Sequence, residues 1–342
     1  MEYSFSEGWE RELRELSKRE YEERKLEGFF DAASALVMAA ALALALLFSS
    51  ALPESARASL RALSEPCGII KTPEPEEGSG LPILIRLADV EADVDPGIII
   101  KLINAGGGEG PELTGDEPSV LIYHTHDTEA YRPTEDAPYE PSGSFRTEDE
   151  ANNVFAVGEE LKRILKDEYG IIAVHAGEKH EKPLIASAYE RSIETMRRYK
   201  ELYPSLVLFI DLHRDGVADT GYEDDFVTVE GLECARMMFV VGTGTSGKSS
   251  RYAEDPTEGE EPELPDFEGN YALALALTET LNSYNEAFMR KIRIKAGNYN
   301  QQEGKRCLLI EVGHNGNTLG QAKNSMIFLA RAIAQNAAVP KG

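Results

Sequence analysis

The 342-residue chain is poor in cysteine and histidine and has no surplus of positive charge. Its three cysteines, Cys67, Cys234 and Cys307, lie far apart. They are too few for a disulfide framework and lack the paired spacing of a zinc knuckle. Lys and Arg number 35 against 60 Asp and Glu, a net charge of −25, and no stretch forms a sustained basic stripe. Such a field repels phosphate backbones, which argues against nucleic acid as a partner. No internal repeat is visible. A chain of this length buries a sizeable core, and one domain with an appendage is the natural expectation.

One absence is local. Between Asp31 and Pro53, residues 32–52 carry no charge. At about 1.5 Å rise per residue, that run matches the ~30 Å hydrocarbon core of a bilayer. A cleaved signal peptide has a shorter apolar region nearer the start, so a retained single-pass helix is expected over residues 29–52. Residues 1–28 hold the basic residues that precede the span, which places them in the cytoplasm and the rest of the chain outside. Their mixed charges fit a solvated helix. Residues 53–115 read as a tether, with the Pro/Glu/Ser/Gly run KTPEPEEGSG and two β-like runs at 83–87 and 98–103.

From residue 116 to 342 strands and helices alternate. Strands are expected at 120–123, 171–175, 207–212, 236–241 and 308–312, and helices at 151–165, 187–202, 271–288 and 319–336. Asn317 or Thr318 caps the last helix. The alternation predicts an α/β domain, a mostly parallel sheet flanked by helices on both faces.

The chain's histidines concentrate where three apolar runs end. SVLIYHTHDTEAY carries His124 and His126, with Asp127 and Glu129 just beyond. LVLFIDLHRD carries His213, and LLIEVGHNGN carries Glu311 and His314. Of six histidines, these stretches hold four, and parallel strands present such ends along one edge. Hydrolytic zinc sites use three protein ligands of the His and carboxylate type and keep one position open. A nearby Glu outside the ligand set then handles the proton. His126 and His213 fit as ligands and Glu311 as the acid–base group. A third ligand is expected from the acidic cluster Glu148, Asp149, Glu150 before the 151–165 helix. The competing reading of that cluster is a charge bias at a helix start. A buried acid without a task is costly, so Glu311 has the weaker structural alternative.

Residues 242–249, GTGTSGKS, satisfy the P-loop pattern and follow an expected strand. The sequence beyond, SSRYAEDPTEGEEPELPD, is acidic and broken by proline where a phosphate site needs a helix. A surface loop with no nucleotide is the better reading.

YHTHDTEAY, NVFAVGEEL, FIDLHRD, YNQ and LLIEVGHNGNT together resemble the stage II sporulation protein P family, in order, over roughly residues 116–336. That family is similar in turn to zinc-dependent N-acetylmuramoyl-L-alanine amidases. The resemblance implies zinc on His126, His213 and either Asp149 or Glu150, with Glu311 catalytic. Arg214 and Asn300 become candidates for substrate contact. His124 and His314 read as groups behind the ligands or, for His314, as a neutral change. It also implies peptidoglycan as substrate, cleaved at the muramoyl–L-alanine amide and at peptide cross-links. The implied partner is a stage II sporulation protein D-type lytic transglycosylase in the engulfment complex, at the septal membrane between mother cell and forespore. Two rival classes are an inactive wall-binding scaffold of the same fold and a P-loop NTPase.

Overall fold

The computed structural model describes residues 69–70, 85–86, 90–94, 111–113, 115–143, 145–217, 225–245, 264–304 and 306–337. All belong to the unit formed by residues 69–342. The expected membrane span, the 98–103 run and most of the acidic insertion lie outside the described residues. Among the described residues no helix is long and apolar enough to cross a membrane.

In chain order the elements are β1 (Ile69–Ile70), β2 (Ile85–Arg86), β3 (Val90–Ala92), β4 (Val120–Tyr123), α1 (Val154–Tyr169), β5 (Ala173–His175), α2 (Ala188–Leu202) and β6 (Leu208–Asp215). There follow β7 (Phe226–Val229), β8 (Leu232–Ala235), β9 (Met237–Gly242), α3 (Phe267–Tyr284), β10 (Ile292–Lys295), β11 (Cys307–His314) and α4 (Leu319–Asn336). Strands β1 and β2 pair with each other, as do β7 and β8, both antiparallel. The main sheet runs β3-β10-β9-β11-β6-β4-β5. Every neighbouring pair in it is parallel except β11 with β9. The C-terminal ends of β4, β6 and β11 therefore share one edge.

Strand parity decides which side chains meet there, because successive residues face opposite sides of a sheet. Leu208, Ile210 and Leu212 of β6 and Leu308, Ile310 and Val312 of β11 are buried in the large core with residues of α1, α3 and α4. Phe209 and Cys307 instead join Met196, Tyr199 and Tyr203 of α2 on the opposite face. Helices thus cover both faces. By the same parity Asp211, His213 and Glu311 project towards the α2 side.

The helices start where a side chain supplies a cap. Asn153 accepts from the Phe155 N–H at the start of α1, after a 3-10 turn at Glu150–Asn152, and left-handed Gly170 closes the helix. Helix α4 has a full capping box, Thr318 with Gln321. Helix α3 begins four residues before the expected 271 because Asp266 caps it, accepting from the Gly269 N–H. Strand β10 has no counterpart in the sequence reading. Its segment IRIK has only two apolar residues, Ile292 and Ile294, both buried, too short a signal for periodicity to register.

Helix α1 approaches the sheet most closely at Gly158. A Cβ there would lie 2.8 Å from His175 Nε2 and 2.9 Å from His124 Nε2. Helix propensity favours Gly158→Ala by about 1 kcal/mol, but forcing a methyl group into a packed site costs about 1–3 kcal/mol. The expected result is a lower urea midpoint; an unchanged or raised one shows that the two rings yield freely.

Candidate active site

The edge formed by β4, β6 and β11 brings His126, His213 and Glu311 together. His213 and Glu311 are register partners on adjacent parallel strands. The rings of His126 and His213 meet edge to face, 5.4 Å between centroids. Glu311 is partly exposed, yet its Oε2 is buried without a hydrogen-bond partner. Burial pushes the Glu311 carboxyl up to about 8, helped by Glu129 and Asp215 and opposed by His213 and Arg290.

Carboxylates from elsewhere close around the two imidazoles. Glu181 Oε1 lies 3.0 Å from His126 Nδ1, and Glu129 Oε2 lies 3.3 Å from His213 Nδ1. Two backbone N–H groups fix the first of these: His180 and Glu181 each donate to Asp127 Oδ1 at 2.7 Å. Arg146 bridges the carboxylates, ion-paired with Glu181 and 3.4 Å from Glu129 Oε1. It arrives because the 127–149 loop folds back, with residues 129 and 146 forming an antiparallel bridge. Burial works against charge on Glu129, but His213, Arg214 and His126 bring its pKa down to about 2. Burial is likewise the largest influence on Glu181, and hydrogen bonds from His126 and Thr128 with the Arg146 charge override it, again to about 2. Burial also opposes charge on His213, yet Asp211 and Glu129 hold its pKa well above the ordinary value.

The sequence expectation of a carboxylate from Asp149 or Glu150 is not met by their placement. Both are exposed. Asp149 caps the 3-10 turn, accepting from the Ala151 N–H, and Glu150 pairs with Lys179 at 2.7 Å. The helix-start reading describes them. Sequence reasoning noted Glu129 without assigning it and missed Glu181, Asp211, Arg146 and Tyr189. Asp211 had a usable signal, being an acid inside a buried strand like Glu311. Glu181 had none.

The remaining expected residues brace the site. His124 is buried, with Nδ1 2.7 Å from the Leu212 carbonyl and Nε2 2.8 Å from His175 Nε2. Buried Arg214 donates from its backbone N–H to Glu129 Oε2 and from Nε to the Ala130 carbonyl. Buried Asn300 donates to the Tyr189 carbonyl at 2.8 Å and to Ser192 Oγ at 2.9 Å. His314 Nδ1 accepts from the Gly316 N–H at the turn after β11. Tyr189 itself stands edge-on to His126, 5.8 Å between centroids. Of the P-loop-like stretch, Lys248 and Ser249 lie outside the described residues. Within it, the Gly242 N–H donates to Gln301 Oε1 and the Thr243 N–H to the Lys295 carbonyl, so these amides face the fold's own acceptors.

The donor chemistry fits a hydrolytic zinc ion. His126 has Nδ1 on Glu181, the arrangement that orients its other ring nitrogen towards a metal. His213 Nε2 is buried without a hydrogen-bond partner. It lies 2.9 Å from Asp211 Oδ1, whose carboxylate also accepts from the Thr125 N–H and hydroxyl. As the side chains stand, no three His, Cys, Asp or Glu residues among those described are arranged to hold a metal.

A profile of the stage II sporulation protein P family matches residues 71–334. The chain belongs to that family. A curated relative, stage II sporulation protein P of Bacillus subtilis strain 168, is 27% identical over 237 residues, which is 65% of this chain. The chain spans about half of that relative, 52% of its length. Among solved structures, the N-acetylmuramoyl-L-alanine amidase AmiC2 of Nostoc punctiforme is 14% identical and aligns with a TM-score of 0.36 over 64% of this chain and 94% of its own. The amidase of Clostridium difficile 630 gives 14%, 0.34, 65% and 95% in the same terms. At these values the structural likeness defines neither site nor activity. For this family member the site rests on the geometry described above.

The carboxylates give the domain a pH signature. Folded pKa values near 2 for Glu129 and Glu181, below the 4.5 of an ordinary carboxyl, mean that the unfolded chain binds more protons between those limits. The stability they contribute is present above about pH 4.5 and lost as pH falls towards 2. The melting temperature of metal-free protein should fall across that window, and less steeply in Arg146→Gln. Equal slopes would show that Arg146 does not hold Glu181 ionised.

Proposed function

We propose that this chain is a membrane-anchored, zinc-dependent peptidoglycan hydrolase acting in septal wall remodelling during sporulation. Its reaction is cleavage of the amide between the N-acetylmuramoyl lactyl group and L-alanine, with endopeptidase action on cross-links as a second activity. The observation that carries this reading is the convergence of His126, His213 and Glu311 at one sheet edge, within a family member.

His126, His213 and Glu129 are the residues we assign to the metal. Glu129 replaces Asp149 and Glu150 in that role because it is the carboxylate whose charge is coupled to both imidazoles. Zinc bound there would supply an activated water near neutral pH and polarise the carbonyl. Glu311 takes the proton of the attacking water as the C–O bond forms and delivers it to the departing amine as the C–N bond breaks. A carboxyl near 8 in the metal-free protein is tuned towards neutrality, the range in which one group both accepts and donates.

The partners on this reading are peptidoglycan, a stage II sporulation protein D-type lytic transglycosylase and the engulfment complex. The span over residues 29–52 anchors the chain, with the hydrolase domain extracytoplasmic. The absence of a ready three-donor arrangement among the described residues favours, as a second reading, an inactive wall-binding member of the family.

Muropeptide analysis after digestion by the purified full-length chain, with and without a chelator, separates the two. Free stem peptides that disappear with the chelator support the hydrolase; no product at any zinc level supports the scaffold. Within the hydrolase reading, Glu311→Gln should lower turnover by about 10²–10⁴-fold with zinc content unchanged. His126→Ala and His213→Ala should lose zinc and activity together. A Glu311→Gln protein depleted of zinc would move Glu311 into the ligand set. A reporter active only in the cytoplasm, fused at the C-terminus, should be silent; a bright signal reverses the topology.

A further inference from the structure

The aromatic wall beside His126 has no part in the mechanism so far. Tyr189 lies in the first turn of α2, half-buried, with its ring edge-on to His126 at 87°. The His126 ring meets both Tyr189 and His213 edge to face. No hydrogen bond ties the Tyr189 hydroxyl to another described residue, although its backbone is held tightly.

That hold is elaborate. Asn300 donates from Nδ2 to both the Tyr189 carbonyl and Ser192 Oγ. Ser192 Oγ lies 2.8 Å from Thr125 Oγ1, and Thr125 donates from its N–H and hydroxyl to Asp211. The turn carrying Tyr189 is therefore coupled by hydrogen bonds to both strand ends that deliver the histidines. Behind it, Tyr299 packs on the Tyr189 ring at 5.9 Å. Tyr299 and Asn300 both adopt left-handed backbone, φ 52° and 55°. Such conformations in non-glycine residues cost on the order of 1–3 kcal/mol each and persist where surrounding structure imposes them. Here they put Asn300 under Tyr189 and Tyr299 against its ring. Tyr189 is fixed through its backbone and its ring, and its ring stands next to the first histidine, so its O–H is a donor held at the site.

We propose that Tyr189 is a further catalytic residue, its hydroxyl donating a hydrogen bond to the oxygen of the scissile amide as negative charge develops there. The proposal rests on the hydrolase reading above. A donor of this kind acts on the transition state more than on bound substrate, so its loss appears in kcat rather than KM.

The test is Tyr189→Phe in the full-length chain, which keeps the ring contacts and deletes only the donor. On a soluble muropeptide, kcat should fall by about 10²–10³-fold, the effect typical of one oxyanion donor. KM, zinc content and melting temperature should stay at the parent's values. An unchanged kcat in a folded, zinc-loaded variant overturns the assignment and leaves the hydrolase reading intact. A fall in zinc content or melting temperature together with activity makes Tyr189 a brace for His126 and also overturns it. A parent without hydrolysis removes both readings at once.

Discussion

Crowding of negative charge around two imidazoles is the constraint on which the rest of the site depends. Glu129, Glu181, Asp211 and Glu311 surround His126 and His213 at an edge largely withdrawn from water. Ionised groups in such a place need compensation, because the desolvation penalty is several kcal/mol per ion. Arg146 supplies part of it, and His213, whose pKa Asp211 and Glu129 raise against burial, supplies more. Glu311 is the least compensated group: burial, Glu129 and Asp215 outweigh His213 and Arg290, and its carboxyl is the one pushed up. A divalent cation answers the same electrostatic demand as the protonated His213. The cluster thus combines acidity that attracts a metal with one acid held apart for proton transfer.

The sheet makes that crowding possible. Parallel pairing of β4, β6 and β11 sets three strand ends side by side, and period-two alternation turns Asp211, His213 and Glu311 to one face while their neighbours fill the core. This much was legible in the sequence. Apolar runs ending in YHTH, DLH and IEVG identify strands that stop at polar groups, and the intervening helical patterns require parallel strands. The antiparallel junction of β9 with β11 was not legible. Nor was β10, with two buried isoleucines, whose pairing supports β3 at the sheet's edge. Both depend on which strand becomes whose neighbour, and local pattern carries no such information.

The carboxylates show the same limit more sharply. The cluster before α1 pointed to Asp149 and Glu150, where the local signal, acids at a helix N-terminus, has a purely local meaning. Glu129 and Glu181 reach the histidines through loop geometry: the 127–149 loop doubles back to lay Arg146 across both, and Asp127 fixes the backbone of His180 and Glu181. No spacing rule encodes a contact between residues 126 and 181. Asp211 differs, since a buried acid in FIDLH demands an explanation from the sequence alone, by the same reasoning that singled out Glu311.

The histidine pair in YHTH illustrates how parity divides labour. Two imidazoles one residue apart look like a pair of ligands, yet they do different things. Val120, Ile122 and His124 follow one another at period two, and His124 accordingly reaches the α1 side, where its ring meets Phe155 at 4.7 Å and His175 at 5.0 Å. The Leu212 carbonyl can only accept, so His124 Nδ1 carries the proton and Nε2 accepts from His175, which in turn meets Glu159 at 2.7 Å. Burial, seconded by His175, lowers the His124 pKa well below normal and keeps this tautomer neutral. The bond closes on the residue immediately before His213. One histidine of the motif therefore fixes the strand end that presents His213, while the other, just past the strand, faces His213 itself. Gly158 is what makes the arrangement fit, since any side chain there would enter the space of the two rings.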